Sequence, residues 1–328
     1  MEGRILVTGG AGFIGSHLVD SLMGLGLEVT VIDNLSSGKL ENLSGWMDNP
    51  RFRFIHGDLL NPSGLPSLLE ECEAIYHLAA NPEVRVGSTE PQTHFRENIQ
   101  ATFNLLEAIR LSGWRGRLLF TSSSTVYGEA ETPTPEDYPS LRPISIYGAS
   151  KLACEALIGA YARSYGFKAV IYRLANIIGP RSQHGVLSDF VRKLEENPEE
   201  LEILGDGSQT KSYLYIDDCV EALITGLETT YRPLEAVEIF NVGSTDQIDV
   251  LRIARITVEM LGLEGVRLRV TGGVAGGRGW IGDVKNMLLD VSRLKSRGWR
   301  PRYNSEQAVR LALKEILKLK ASNPSRMI

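Results

Sequence analysis

The first two thirds of the chain alternate between short apolar runs and longer segments in which apolar residues recur with helical spacing. The short runs are typical of strands and lie at Arg4–Thr8, Glu28–Ile32, Phe52–His56, Ala74–Leu78, Arg117–Thr121 and Ala169–Leu174. The helical pattern is clearest over Ile14–Leu25, Phe95–Arg110 and Tyr147–Tyr165. Strands that are apolar on both faces and separated by helices are typical of a parallel sheet covered on both sides. The pattern therefore predicts an α/β fold with a doubly wound (Rossmann) parallel sheet.

The regular alternation of strand-like and helix-like segments ends at about Gly179, and short strands and turns follow it. The later elements are a turn, a helix, a strand end and a helix, at Gly205–Gly207, Ile216–Gly226, Phe240–Gly243 and Asp249–Leu263. A glycine-rich run at Gly272–Gly279 predicts a flexible loop. We therefore expect a first domain over residues 1–175, which also receives later segments from roughly 210–245. Most of residues 176–328 should form a smaller, interleaved C-terminal lobe that binds substrate.

Composition and charge narrow the classes of protein that fit. Of the 328 residues, 43% are hydrophobic and 23% are charged, as in ordinary globular proteins. The 35 basic and 40 acidic side chains give a net charge of −5, so we expect no binding to nucleic acid. The apolar runs are too short for a membrane span or a signal peptide. Cys72, Cys154 and Cys219 lack CxxC spacing, which predicts buried reduced thiols, no metal site and a cytoplasmic location.

A glycine-rich turn joins the first predicted strand to the first predicted helix. Gly9, Gly12 and Gly15 form a GxxGxxG pattern there. Glycine is needed where the backbone must turn tightly and approach a pyrophosphate without a Cβ in the way. The anion then binds to N–H groups at the positive end of the helix. The position of the pattern at the first strand–helix junction predicts a dinucleotide site.

An acidic residue after the second strand indicates which dinucleotide is bound. Asp33 follows Gly9 at close to the spacing of about 20 residues that is typical of dinucleotide folds. A carboxylate here accepts hydrogen bonds from the adenosine ribose and repels a 2′-phosphate, and neither Asn34 nor Leu35 is an arginine that would neutralise one. We therefore expect NAD and not NADP. Asp58, after the third strand, either contacts the adenine or is a turn residue.

A tyrosine and a lysine stand four residues apart on the helix that follows the fifth strand. Tyr147 and Lys151 therefore share one helix face. A free phenol has a pKa of about 10 and is a poor base at neutral pH, but an ammonium within about 4–6 Å lowers that pKa by roughly 1–3 units. The pair thus predicts that Tyr147 is a general base. Lys151 can also bind the hydroxyls of the nicotinamide ribose. The hydroxyl-rich segment Thr121–Gly128 ends the fifth strand, where ligands of such sheets bind, so one of its serines either contacts a substrate oxygen or only satisfies the loop backbone.

These motifs together resemble those of the extended short-chain dehydrogenase/reductase family. They comprise Gly9–Gly15, His77–Ala80, Ser122–Gly128, the Tyr147/Lys151 pair and Arg173–Asn176, and they span nearly the whole chain. The likeness is greatest to nucleotide-sugar epimerases of the UDP-glucose 4-epimerase type. The resemblance implies NAD as the cofactor and a UDP-sugar as the substrate.

The resemblance also implies roles for individual residues. Ser123 is the hydroxyl that contacts the sugar, Tyr147 is the base and Lys151 assists it. Residues expected to contact NAD are Gly9, Gly12, Phe13, Ile14, Gly15, Asp33, Asn34, Ser37, Gly38, Asp58, Leu59, Leu78, Ala79, Ala80, Asn98, Tyr147 and Lys151. Those expected to contact the substrate are Ser123, Asn176, Lys211, Arg278 and Asp283. Lys211 lies where the family usually has a phosphate-binding arginine.

The expected reaction is reversible epimerisation at C4 of UDP-glucose and UDP-galactose, by transient oxidation to a 4-keto sugar. Dehydration is disfavoured because Ser124 and Thr125 stand where the family's dehydratases carry Asp-Glu. The alternatives are a 4-epimerase of UDP-glucuronate or UDP-N-acetylhexosamines, a dehydratase, a decarboxylase, a net reductase, or a non-catalytic NAD-binding protein. The complete set of Ser123, Tyr147 and Lys151 argues against the last of these.

Three further residues each allow two interpretations, and the oligomeric state is expected from the family alone. Met287 matches the position that limits the sugar's C2 substituent in the family, or else it fills the core. Arg181 and His184 either line the sugar pocket or are loop residues. A homodimer that pairs through the helices at Phe95–Arg110 and Tyr147–Tyr165 is common in the family and is our expectation here.

Overall fold

The computed structural model describes residues 3–226 and 235–322. The strands, in chain order, are β1 (Arg4–Thr8), β2 (Glu28–Asp33), β3 (Phe52–His56), β4 (Cys72–His77), β5 (Arg117–Ser123), β6 (Lys168–Leu174), β7 (Asn176–Ile178), β8 (Glu200–Ile203), β9 (Thr210–Lys211), β10 (Tyr213–Tyr215), β11 (Val237–Val242), β12 (Ile248–Asp249), β13 (Arg267–Val270) and β14 (Asn286–Met287). The α-helices are α1 (Phe13–Gly24), α2 (Leu65–Leu69), α3 (Pro91–His94), α4 (Ala101–Ser112), α5 (Ile146–Tyr165), α6 (Val186–Glu196), α7 (Ile216–Thr225), α8 (Val250–Met260), α9 (Ser292–Lys295) and α10 (Ser305–Ser322). These elements fall into two compact units.

The first unit comprises Met1–Val126, Ile146–Arg173 and Val220–Phe240. Its centre is a seven-stranded sheet in the order β11-β6-β5-β4-β1-β2-β3. The pairs from β3 through β2, β1 and β4 to β5 are parallel. This arrangement confirms the predicted α/β fold with a doubly wound parallel sheet.

The central strands are apolar on both faces because helices cover both faces. Ile5, Leu6 and Val7 of β1 are completely buried. Leu6 belongs to a core cluster that also contains Leu105 of α4 and Ile158 of α5. Burial of apolar surface of this kind is the dominant favourable term in folding, and it fixes the sheet whose carboxyl edge carries the predicted site.

The second unit comprises Tyr127–Ser145, Leu174–Cys219 and Asn241–Ile328. It contains three small sheets, with the orders β10-β7, β12-β9-β14 and β13-β8. The segment 127–145 belongs to this unit, whereas the sequence pattern had suggested a first domain that runs continuously to residue 175. The side chain of Asn241 accounts for this, because its Oδ1 accepts from the Tyr127 hydroxyl at 2.8 Å and its Nδ2 donates to the Thr134 carbonyl at 2.9 Å.

The helix predicted over Phe95–Arg110 is interrupted. The structure has α3, then a π-helical segment over Phe95–Gln100, and then α4. The amide of Asn98, within the π-helical segment, is held from two sides: its Oδ1 accepts from the Asn81 N–H at 2.8 Å and its Nδ2 donates to the Ser150 hydroxyl at 2.9 Å. Segments of this type are frequent at functional sites, and this one lies against α5.

All three cysteines are buried and free, which confirms the prediction of buried thiols. Over residues 3–226 and 235–322, no helix combines the length and the apolar character needed to cross a membrane.

A buried histidine at the end of β4 makes the fold sensitive to acid. His77 is completely buried between Thr8 Oγ1, at 2.8 Å from its Nδ1, and Thr102 Oγ1, at 2.9 Å from its Nε2. Burial, with a smaller contribution from the charge of Lys151, lowers the pKa of His77 to about 3. The imidazole is therefore neutral in the folded protein at pH values at which it is protonated in the unfolded chain.

We predict that this histidine reduces the free energy of unfolding as the pH falls below about 6.5, by about 2 kcal/mol at pH 5. Urea denaturation at pH 7 and pH 5 measures the effect, and His77→Gln should show a weaker pH dependence than the wild type. His184→Gln, which changes an exposed histidine, is the control. Equal pH dependence in the wild type and His77→Gln would contradict the prediction.

Candidate active site

The glycine turn between β1 and α1 has no room for side chains at two of its glycines. Gly9 has φ +72°, and a Cβ there would lie 2.7 Å from the backbone nitrogen of Ala79. A Cβ on Gly15 would overlap the carbonyl oxygen of Gly9. Gly12 is the N-cap of α1, so the first N–H groups of the helix, at Phe13 and Ile14, have no acceptor within the helix. The turn therefore fits a pyrophosphate bound closely to the backbone.

The carboxylate of Asp33 is fixed at the end of β2, beside the glycine turn. Its Oδ2 accepts from the Ala11 N–H at 2.9 Å and its Oδ1 accepts from the Leu35 N–H at 2.8 Å. The second of these bonds stabilises Leu35 in its left-handed conformation, with φ 58°. Each oxygen retains acceptor capacity, because an ionised carboxylate offers about four lone pairs. The arrangement is suited to hydrogen bonds from ribose hydroxyls.

The other residues predicted to contact the cofactor lie around the same edge of the sheet. The Leu78 N–H donates to the Thr8 carbonyl at 3.1 Å, which brings Leu78–Ala80 beside the glycine turn. A Cβ on Gly38 would lie 2.9 Å from Ala11, so the loop that carries Ser37 and Gly38 packs on that turn as well. Asp58 accepts from Asn34 Nδ2 at 3.2 Å and from the Leu60 N–H at 2.8 Å. Asp58 thus has the hydrogen bonds of a turn residue and also lies next to Asn34. Leu59, which follows Asp58, is buried.

The three residues predicted to be catalytic lie together, where β5 meets α5. The amine of Lys151 is buried and donates to the Thr121 carbonyl at 2.9 Å. Tyr147, one turn earlier on α5, is hydrogen-bonded to Ser123. The Ser123 hydroxyl also accepts from Thr125 Oγ1 at 2.9 Å. The Lys151 nitrogen lies 6.0 Å from the centre of the Tyr147 ring.

The pKa of the Tyr147 phenol is shifted in the opposite direction to our expectation from the sequence. Burial raises the pKa of Tyr147 to about 12, although its hydrogen bond with Ser123 lowers it. Burial also lowers the pKa of the Lys151 amine to about 8, against the opposing influence of Cys154 and Glu155. The expectation was wrong because desolvation disfavours the charged form of both groups, and because the Lys151 amine bonds to Thr121.

A histidine that the sequence analysis did not select supports the tyrosine ring. His94 is completely buried, and its ring meets that of Tyr147 edge-on, with 5.5 Å between centroids. Its Nδ1 lies 3.3 Å from Asn98 Nδ2. Asn98, predicted to contact the cofactor, has its amide bonded to protein groups. His94 directly precedes the helix predicted over Phe95–Arg110 and stands four residues before Asn98, and this spacing is a signal that could have identified the histidine.

The sequence analysis also missed a buried ion pair between Arg173 and Glu155, one turn after Lys151 on α5. Arg173 Nη2 lies 2.7 Å from Glu155 Oε2, and the two side chains are 2% and 5% exposed. The same carboxylate accepts from the Ser122 hydroxyl at 2.5 Å. An arginine within the apolar run of β6, and a glutamate four residues after Lys151, were the available signals.

The second unit holds the residues predicted to bind the substrate other than Ser123, which lies in the first unit. Lys211 Nζ lies 2.6 Å from Asp283 Oδ1, so the structure brings these two together. Arg278 bonds to Glu129, with 2.6 Å between Nη2 and Oε1, and not to Asp283. Asn176 Nδ2 donates to the Ser212 carbonyl at 3.0 Å, which holds Asn176 next to the strand that carries Lys211.

The second unit also contains Met287 and the glycine-rich run at Gly272–Gly279, for which the sequence analysis made predictions. Met287 is buried and pairs with Lys211 between β14 and β9. In the glycine-rich run, two reciprocal backbone hydrogen bonds of 2.9 Å join Val274 and Arg278. Lys285 Nζ donates to the Gly276 carbonyl at 3.1 Å. The run that was predicted to be a flexible loop is therefore a bonded turn in this structure.

Comparison with known proteins defines the class. The model of the NAD dependent epimerase/dehydratase family matches residues 5–243, so the chain belongs to that family. This confirms the predicted family resemblance and NAD as the cofactor. The glycine turn and Asp33, described above, supply the backbone donors and the carboxylate that such a cofactor needs.

The relatives are named for different activities. A crystal structure of a UDP-galactose 4-epimerase is 45% identical, with a TM-score of 0.84, and the match covers 96% of this chain and 99% of that one. UDP-glucuronic acid 4-epimerase from Bacillus cereus, in complex with UDP-glucuronic acid and NAD, is 30% identical, with a TM-score of 0.87 and the same coverage. UDP-glucuronic acid decarboxylase 1 of Arabidopsis thaliana is 38% identical over 79% of this chain, and the match spans only 58% of that protein.

We predict that Gly15→Ala abolishes binding of NAD, because the added methyl group displaces the backbone of Gly9 from the position that the pyrophosphate requires. Isothermal titration calorimetry with NAD measures the loss. Gly24→Ala, at the other end of α1, is a matched control, since a Cβ there meets no atom within 4 Å. The control should bind NAD normally, and NAD binding to Gly15→Ala with unchanged affinity would contradict the prediction.

Proposed function

We propose that this protein interconverts UDP-glucose and UDP-galactose by epimerisation at C4. The observation that carries the proposal is the cluster of Tyr147, Ser123 and Lys151 where β5 meets α5. A phenol, a hydroxyl and a buried amine in this arrangement are suited to moving a proton at a secondary alcohol. The 45% identity to a protein named UDP-galactose 4-epimerase supports the choice of sugar.

We propose a role for each of the three residues. Tyr147 accepts the proton of the C4 hydroxyl and later returns it, while the Ser123 hydroxyl hydrogen-bonds the same sugar oxygen. The amine of Lys151, which the Thr121 carbonyl holds 6.0 Å from the centre of the Tyr147 ring, is proposed to bind the hydroxyls of the nicotinamide ribose. NAD, bound at the glycine turn and Asp33, would supply reversible hydride acceptance for C4, so that the hydride could return to the opposite face of the sugar. The reaction therefore has no net oxidation.

Residues of the second unit are proposed to hold the UDP moiety. Lys211 and Arg278 are the cations for the diphosphate, and Asp283 and Asn176 offer a carboxylate and an amide to the nucleoside. In the structure both cations are paired with carboxylates, Lys211 with Asp283 and Arg278 with Glu129. The pair of Arg278 and Glu129 is partly exposed, and such pairs are worth little, about 0–1 kcal/mol, so a diphosphate can exchange with it. Asp283 is buried, so we propose that Lys211 meets the diphosphate while it keeps its bond to Asp283. Strong binding of UDP leaves the hexose free to turn.

A second candidate function is the conversion of UDP-glucuronate, by epimerisation or decarboxylation. It is favoured by the 38% identity to UDP-glucuronic acid decarboxylase 1 and by the similarity to the UDP-glucuronic acid 4-epimerase. We rank it second because the sequence offers no arginine that can be assigned to the sugar carboxylate.

We also propose that the protein acts as a cytoplasmic homodimer that pairs through α4 and α5. Phe103 of α4 is 38% exposed and packs edge-on against Tyr161 of α5, with 6.4 Å between ring centroids. Leu111, on the last turn of α4, is 65% exposed. Aromatic and aliphatic side chains of this kind are typical of the centre of an interface.

The substrate is identified by incubating the purified, NAD-loaded protein separately with UDP-glucose, UDP-glucuronate and UDP-N-acetylglucosamine and separating the products by HPLC. We expect UDP-galactose from the first, without added reductant, because the hydride is returned within each turnover. No UDP-galactose, together with UDP-galacturonate or UDP-xylose from the second, would replace our proposal with the alternative.

We predict that Tyr147→Phe lowers kcat by about 10²- to 10⁴-fold, the usual contribution of a general base. The phenyl ring retains the packing against His94, so the affinity for NAD should stay within a factor of a few of the wild type. HPLC assays and NAD titration measure the two quantities. Turnover unchanged by this substitution would show that the phenol is not the base.

A further inference from the structure

Three successive residues at the end of β5 bond to three successive turns of one face of α5. The Thr121 carbonyl accepts from the Lys151 amine at 2.9 Å, and Ser123 is hydrogen-bonded to Tyr147. Between them, the Ser122 hydroxyl donates to Glu155 Oε1 at 2.5 Å. Two of these three bonds belong to the proposed catalytic group, and the third has no part in it.

The glutamate of this third bond belongs to a buried ion pair. Arg173, at the end of β6, is bonded to Glu155 through both Nη2 and Nε, at 2.7 and 3.1 Å. Ser122, Glu155 and Arg173 are all at least 90% buried. A buried ion pair is weak evidence for stability, because apolar residues of similar volume are often as stabilising or more so. What the network provides is geometry: a carboxylate with two rigid bonds to Arg173 has one defined direction in which to accept from Ser122.

We propose that Ser122, Glu155 and Arg173 are positioning residues. They fix the position of α5 along its axis relative to the end of β5, and so keep Tyr147 and Lys151 aligned with Ser123. Glu155 follows Lys151 by four residues and Tyr147 by eight, so the three side chains lie in one stripe of α5. Fixing Glu155 against Ser122 therefore fixes the helix at one point of the stripe, and Ser122 is the immediate neighbour of Ser123. The inference rests on the proposed use of Tyr147 as the base.

Ser122→Ala is the sharpest test, because it removes the bond between β5 and the network and leaves the ion pair intact. We expect kcat for UDP-glucose to fall by about 10- to 100-fold, the usual effect of a small misplacement of reacting groups. KM and the affinity for NAD should stay within about twofold of the wild type. Ser122→Thr keeps the hydroxyl and should restore most of kcat.

Ser244→Ala is the matched control. Ser244 is also completely buried, and its hydroxyl donates to a carboxylate, Asp246 Oδ1, at 2.6 Å. Both alanine variants lose one serine–carboxylate hydrogen bond and should lose similar thermal stability, but only Ser122→Ala should lose kcat. Should Ser122→Ala fail to fold, Ser122→Cys, a weaker donor of similar size, gives the same comparison. Equal kcat in Ser122→Ala and Ser244→Ala, or a loss that Ser122→Thr does not restore, would overturn the inference.

A second measurement separates failure of the inference from failure of the proposed function. Ionisation of Tyr147 is followed in the NAD-loaded protein by tyrosinate absorbance, with Tyr147→Phe as the reference. The hydrogen bond from Ser123 lowers the pKa of this phenol, so Ser122→Ala should raise the titration midpoint. If the wild type converts no UDP-hexose, the proposed function fails, and this midpoint alone decides the inference: a rise supports it and an unchanged midpoint overturns it.

Discussion

The chemistry assigned to this protein depends on how α5 docks on the end of β5. The central contact is the buried amine of Lys151, which donates to the Thr121 carbonyl at 2.9 Å. A charged group that is taken out of water must be bonded, or it neutralises. This bond is therefore one of the contacts that fix the depth of the helix that carries Tyr147. The pKa of Lys151, which burial lowers to about 8, and that of Tyr147, which burial raises to about 12, both follow from that depth.

The protein by itself thus keeps its base protonated near neutral pH. Three protein groups act against burial: the Ser123 hydrogen bond lowers the pKa of the phenol, and Cys154 and Glu155 raise the pKa of Lys151. NAD⁺, which carries a positively charged ring, is the remaining source of charge that favours the phenolate. A phenol whose ionisation is favoured by NAD⁺ would suit the proposed reaction, in which proton and hydride leave the same carbon–oxygen unit.

Much of the fold was predictable because its signals are local. The apolar runs at Arg4–Thr8 and Phe52–His56 match β1 and β3 residue for residue, and the glycine turn lies directly between β1 and α1. What could not be predicted depends on contacts distant in sequence. The π-helical break at Phe95–Gln100 accompanies hydrogen bonds of Asn98 with Asn81 and Ser150. The upward shift of the Tyr147 pKa depends on burial, which helical spacing does not reveal.

The central claim is that C4 of a UDP-hexose is inverted by transient removal and return of its own hydride. Its most direct test is the conversion of UDP-glucose labelled with deuterium at C4, with the product analysed by mass spectrometry and NMR. The account predicts UDP-galactose that keeps the deuterium at C4, even in ordinary water and without added reductant. Loss of the label to solvent, or its retention only in unchanged UDP-glucose, would contradict the account.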